Sequence, residues 1–254
     1  MASTDDTSAG ETATHERLRP GPGGLPPGRV LEIQRSRMLV AAIQKIDEAG
    51  YTGMTVAEVI GRAKVSRKTF YDVFADREDC FLAAFEQVVE RARTLVCDAV
   101  GHEQGWREGV RVGLARLLAF MDEEPGLARL CVIEALSAGP RVLQSRACVL
   151  GELANVVDRG RAVGGGVREP PQVTAEGIVG AVFAVVHSRV TEDERPLSDL
   201  LGSLMSMIVL PYLGARAAAS ELSRPAPELH DGDLGTQTSA TGERAASERA
   251  AGGR

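Results

Sequence analysis

Apolar residues recur at three- and four-residue steps along almost the whole stretch from residue 33 to residue 221, the spacing that lines one face of a helix. Leu39, Ala42, Ile43 and Ile46 form the buried stripe of a first helix that ends near Gly50. Thr55 and Glu58 stand three apart, as in a capping box, and predict a second helix that starts at residue 56 and lasts about two turns. Ser66 is a good N-cap for a third helix of similar length. Asp76 caps a fourth and longer one, with Asp79 placed favourably in its first turn. Phe81, Phe85, Val88, Ala92, Leu95 and Ala99 step along one face of that helix.

The same period continues through residues 104–123 (Trp106, Val110, Gly113, Leu117, Met121), behind Pro125, and through 140–163 (Leu143, Ala147, Leu150, Ala154, Val157). "GGGVREPP" at 164–171 interrupts it, and two more helices are expected over 172–190 and 197–220, the latter kinked by Pro211. Strand-like alternation is absent, as is any repeat of 20–50 residues. The fold class is all-α.

Residues 1–30 are rich in Pro, Gly, Ser and Thr without periodicity and read as a disordered arm; residues 222–254 read as a disordered tail. The 254 residues carry a formal net charge of −6, which argues against polyanion binding by the whole surface but leaves room for a local basic patch. Four cysteines, Cys80, Cys97, Cys131 and Cys148, lie far apart and read as free thiols of a reducing compartment. The N-terminus lacks the apolar run of a secretory signal, and the apolar stretches at 177–186 and 200–214 are short for a bilayer. The expectation is a cytoplasmic protein without membrane contact.

Positive charge is concentrated in one place. Arg62, Lys64, Arg67 and Lys68 fall within seven positions, between the two shortest predicted helices. Short helix, brief turn, short helix is a helix-turn-helix. Val59, Ile60 and Val65 can pack with Phe70 and Phe74, which turns the basic residues outward around the turn and the start of the third helix. The free N–H groups and dipole there suit phosphate, and side chains at that end can reach base edges in a major groove. Tyr71 allows two readings: a phosphate ligand, or a core aromatic with its hydroxyl at the rim.

"TVAEVIGRAKVSRKTFYDVFADREDCFLAAF", preceded by "RSRMLVAAIQKIDEAGYTGM", resembles the DNA-binding domain of tetracycline-repressor-type (TetR family) regulators over residues 35–85. Its hallmarks here are Thr55, Ala63, Val65, Ser66, the "TFY" of 69–71 and Phe74; Lys64, Ile60 and Val73 stand where the family usually has Gly, Ala and His. The resemblance implies that Thr55 and Tyr71 bind backbone phosphates, that Ser66, Arg67, Lys68 and Thr69 face the groove, and that Arg37 reaches the flanking backbone; Lys64, a departure from the family, is a further candidate for a phosphate contact. It also implies a DNA-binding domain at 31–76 and a helical effector-binding and dimerisation domain at 77–221.

In the second domain, the helix at 172–190 is apolar nearly all round and must be covered on more than one side. Gly177, Gly180, Ala181 and Ala184 are candidates for a homodimer interface, joined by Leu201, Leu204, Met205 and Ile208 of the last helix. Trp106, Phe120, Met121, Phe183 and His187 are candidate linings of an effector pocket, His187 because a polar ring on an apolar helix needs a partner.

An enzyme is not expected. His15, His102, His187 and His230 lack metal-ligand spacing, no nucleophile or phosphate-loop motif occurs, and no cofactor is implied. Rival readings are a ligand-independent or activating regulator of the same type and an architectural DNA-binding protein. The acidic balance speaks against the last.

Overall fold

The computed structural model describes residues 26–100, 105–164, 170–192 and 195–229, and among these every regular element is helical. The first helix, α1 (Pro27–Gly53), starts earlier than the expected boundary at residue 31 because Pro27 occupies its first turn, where a preset φ and a missing N–H cost nothing. Gly50, at φ 65°, breaks the helical dihedrals where the end was expected. Then come α2 (Val56–Ala63), α3 (Arg67–Val73) and the long α4 (Arg77–Val100). Asp76 accepts from Asp79 N (2.7 Å) and Asp79 accepts from Ala75 N (3.0 Å), a reciprocal cap at the start of α4.

The remaining helices are α5 (Trp106–Glu123), α6 (Pro125–Val132), α7 (Pro140–Asp158), α8 (Thr174–Glu192) and α9 (Leu201–Leu222), with 3₁₀ turns at Glu134–Leu136, Arg159–Ala162 and Leu197–Leu200. Pro211 sits inside α9, but the dihedral break falls at Gly214 (φ 80°) rather than at the proline.

Two cores organise the chain. One joins α1, α2 and α3 to the first half of α4 through Met38, Leu39, Ile46, Val59, Phe70, Phe74, Phe81 and Phe85. Leu130, Ala135, Ala138 and Val142, from α6, the turn after it and α7, belong to the same core. The expected boundary between residues 76 and 77 is therefore spanned by continuous apolar packing. The other core gathers α5, α8 and α9 around Leu118, Val157, Ile178, Leu204, Met205, Val209 and Tyr212.

Several expectations need correction. Leu201, Leu204, Met205 and Ile208 are 5, 2, 0 and 4% exposed and fill the protomer's own core, so they offer nothing to a partner. The most apolar stripe of α9 is taken by α5, α8 and the 3₁₀ turn before it. On α7, Leu143 and Ala147 are exposed, and Val142 carries the inward face toward the head. Residues 222–229 pack rather than trail away. Leu229 lies against the second core, and Arg111 donates to the carbonyls of Arg224 (2.9 Å) and Pro225 (2.8 Å). Arg111 also pairs with Glu221, both fully buried, and Arg107 reaches the same carboxylate at 2.5 Å.

The run Leu197–Leu222 is long and apolar enough to cross a membrane by length and composition, contrary to the shorter stretch read from sequence. Its inward side chains pack in the core, as for any central helix of a helical domain. Residues 1–25 and 230–254, with His15, His102 and His230, lie outside the described residues.

Candidate DNA-binding surface and effector cavity

At the head, Thr55 caps α2 by accepting from Glu58 N at 3.2 Å. The carboxylate of Glu58 does not complete the box; it lies 3.7 Å from Lys45. Lys64 then takes a left-handed conformation, φ 54° and ψ 44°, the only positive φ outside glycine among the described residues. That geometry costs a non-glycine residue roughly 1–2 kcal/mol. It places an exposed ammonium at the corner between α2 and α3. Ser66 caps α3, accepting from Thr69 N at 3.0 Å, and its Oγ is 2.8 Å from Thr69 Oγ1.

Phe70 and Phe74 are buried against Val59, while Ser66, Arg67 and Lys68 point to solvent. Tyr71 is 49% exposed, edge-on to Phe70 with centroids 5.4 Å apart, so it is a surface residue rather than a core one. The Arg67 guanidinium lies over its ring at 5.9 Å. Arg37 is half-buried on α1.

The four cations of the sequence cluster are not equivalent. Arg62 is held bidentately by Glu48 at 2.7 and 2.8 Å, so its charge is cancelled. Among the described residues, no carboxylate lies within salt-bridge distance of Arg37, Lys64, Arg67 or Lys68. Uncompensated positive charge beside the N-terminus of α3 is suited to a polyanion.

A cavity of about 320 Å³ opens between α4, α5, α6, α7 and α8. Phe120, Met121 and Phe183 line it as expected, together with Phe85, Val88 and Leu153. Trp106 does not. It stands at the other end of α5, roughly 21 Å along the axis from Phe120, packs on Tyr212 at 5.3 Å and donates Nε1–H to the carbonyl of Val156 at 2.9 Å. His187 does not line it either, being one turn beyond Phe183 on α8. Two charged groups at the wall, Arg93 and Glu152, pair at 2.6 Å between α4 and α7. A third, Arg146, has its Nε buried without a hydrogen-bond partner. Burial raises the Cys131 thiol to about 12, which leaves it unreactive.

The cavity walls touch the head directly. Glu134, in the turn after α6, accepts from Tyr51 N at 2.8 Å and sits where a Cβ at Gly50 would be, 3.0 Å from it. Arg141, at the start of α7, reaches Asp76 at 2.6 Å and Glu78 and Asp79 at 3.5 Å. The Asp79 N–H and then Arg141 hold the Asp76 carboxyl below its ordinary pKa. Gly139 (φ 123°) lets this corner approach; a Cβ there would stand 2.5 Å from the Glu78 carboxylate.

Sequence reasoning missed Arg146, Glu134 and Arg141. Only Arg146 left a trace, as a cation four residues from both Val142 and Leu150 on the inward stripe of α7.

A capped, exposed helix behind a short helix and turn, with unpaired cations at its start, has the architecture of a helix-turn-helix, here joined to a helical second domain. Residues 38–84 match the family model of bacterial regulatory proteins of the tetR family. Over these residues the chain is similar to the DNA-binding domain of TetR family regulators. The HTH-type transcriptional regulator YezE of Bacillus subtilis (strain 168) is 25% identical over 84 residues, 33% of this chain and 43% of that protein, so the match spans less than half of the relative.

Among solved structures, the fatty acid degradation regulator FadR from Bacillus halodurans aligns with TM-score 0.61 at 19% identity, over 69% of this chain and 94% of that one. FadR from Bacillus subtilis, in complex with stearoyl-CoA, aligns with TM-score 0.60 at 18% identity, over 68% and 97%. A TetR family regulator from Marinobacter aquaeolei VT8 gives 0.54 at 21%, over 70% and 94%. At these identities the likeness is one of fold.

Proposed function

We propose that the chain is a cytoplasmic, homodimeric repressor that binds a palindromic operator and is released from it by a small, largely apolar effector. The observation that carries the reading is the unpaired set Lys64, Arg67 and Lys68 around the start of α3, in a protein that cancels Arg62 a few residues away. Arg67, Lys68 and Thr69 read bases, while Thr55, Tyr71, Lys64 and Arg37 hold phosphates. The Ser66 and Thr69 hydroxyls bond each other and keep one proton between them for an outside acceptor.

The dimer forms through Gly177, Gly180, Ala181, Ala184 and Val185 of α8, all exposed, and through Ser203 and Leu210 on the outer face of α9 in place of the four buried residues first expected there. A two-fold axis sets half-sites about one helical turn, or a multiple, apart.

Release runs through the corner after α6. An effector in the cavity pushes on α6 and α7, which carry Glu134 and Arg141 at the head; α4 follows as a rigid helix because Phe81 and Phe85 cannot leave their core cheaply. The effector must prefer the displaced arrangement, since equal affinity for both shifts nothing. The stearoyl-CoA complex of the Bacillus subtilis FadR supports an apolar occupant for this fold.

The test is selection from a random DNA pool. One enriched palindrome is expected, with log affinity falling by about 0.9 per neutralised phosphate for each unit of log salt. Uniform recovery of all sequences would instead indicate an architectural binder.

A further inference from the structure

The cavity wall is apolar except for Arg93, Glu152 and Arg146. Arg93 is engaged by Glu152 at 2.6 Å and Glu90 at 2.8 Å, so its own charge is already met. Arg146 is different. Its Nε is buried and makes no hydrogen bond, and no carboxylate lies within salt-bridge distance among the described residues. Its guanidinium faces only the ring of Phe183, at 5.4 Å, and that ring lines the cavity too.

Buried charges in proteins are paired, because a charge removed from water without a counter-ion is destabilising. Burial accordingly pulls the Arg146 pKa below its ordinary value. The group stays protonated, as guanidinium does in proteins. A partly buried cation at the wall of an apolar cavity, its Nε without a hydrogen bond and a ring as its neighbour, is placed to receive an anion.

We propose that the cavity takes an apolar chain ending in a single anionic group, carboxylate or phosphate, and that Arg146 receives that group. The inference rests on the reading of the cavity as the effector site. Guanidinium offers a fork of N–H donors that fits either oxyanion, and the enclosed site strengthens each charge-assisted bond. A neutral chain would bury Arg146 further without compensation, and a cationic one would be repelled.

The experiment measures affinity by calorimetry for four ligands of equal chain length: decanoate, decyl phosphate, 1-decanol and decylamine. The full chain is used as wild type, Arg146→Gln and Arg146→Lys. In the wild type, decanoate or decyl phosphate should bind at least about tenfold more tightly than 1-decanol, and decylamine most weakly. Arg146→Gln should erase the preference for the anion while leaving 1-decanol within about twofold of its wild-type affinity. Arg146→Lys should keep part of it. Two results would overturn the proposal alone: 1-decanol binding as tightly as both anions, or an anion preference that survives in Arg146→Gln. Binding by none of the four would overturn it together with the effector-site reading.

Discussion

The head and the cavity are built from the same kind of helix and fail or succeed in different ways. In the head, most of the proposed DNA contacts lie on consecutive residues, 64 to 71, whose exposure is fixed by two buried rings and two caps. The proposed effector site is instead a space bounded by five helices. The first region is packed to its limit, so its side chains are aimed. The second is left unfilled, so it can be occupied. The two meet at Glu134 and Arg141, the contacts through which the proposed release would run.

The largest expected contrast is in packing. Phe70→Ala, at a fully buried head position, should cost about 3–5 kcal/mol in chemical denaturation and abolish DNA binding. A sharper pair lies on one helix. Ala84→Leu forces a side chain into the head core and should cost about 1–3 kcal/mol. Ala92→Leu, eight residues on, enters the cavity instead, so its denaturation midpoint should stay near wild type while decanoate binding weakens. Equal loss of stability in both would erase the distinction drawn here.

Within the head, positioning and reading separate next. Lys68→Ala and Thr69→Ala should change the selected sequence, by about 1–3 kcal/mol where a base contact is lost. Tyr71→Phe should weaken all sites alike, because phosphates carry no sequence; binding titrations across a set of single-base operator variants distinguish these. Lys64→Gly should raise stability by up to about 1 kcal/mol, relief of the left-handed strain being partly offset by a freer unfolded chain. It should also reduce the salt slope by about one contact.

The smallest effect is electrostatic. Asp76 has its folded pKa depressed, so its contribution is present above the ordinary aspartate pKa of about 3.9 and is lost as pH falls through the lower folded value. Asp76→Asn should therefore lower the melting temperature at neutral pH and converge on the wild type below about pH 4, which flattens the acid limb of the profile.

Legibility in the sequence followed the same division. The caps at Thr55 and Ser66 are local consequences of neighbours three residues away, and they were readable; the turn geometry at Lys64 was signalled only by the glycine that the resembled family has there. The start of α1 was not, because a Pro/Gly-rich stretch suits both a loop and a first helical turn. Phe120, Met121 and Phe183, expected in a space between helices, do border the cavity, whereas Trp106 and His187, expected with them, lie beyond it. Leu204 and Met205 were misassigned to a partner because an apolar stripe does not say which protein covers it. Glu134 and Arg141 look like ordinary surface charges until Gly50 and Asp76 are seen beside them.

The central claim is that cavity and head are coupled through the corner that carries Glu134 and Arg141. The most direct test is the affinity of decanoate for the protein, measured by calorimetry free and saturated with its selected operator. Linkage requires operator to weaken the ligand by the same factor that the ligand weakens operator. The account predicts a shared factor, commonly about 5–150-fold for coupled sites, that shrinks when Glu134→Gln and Arg141→Gln are combined. A decanoate affinity unchanged by saturating operator would contradict it, even with the ligand bound in the cavity.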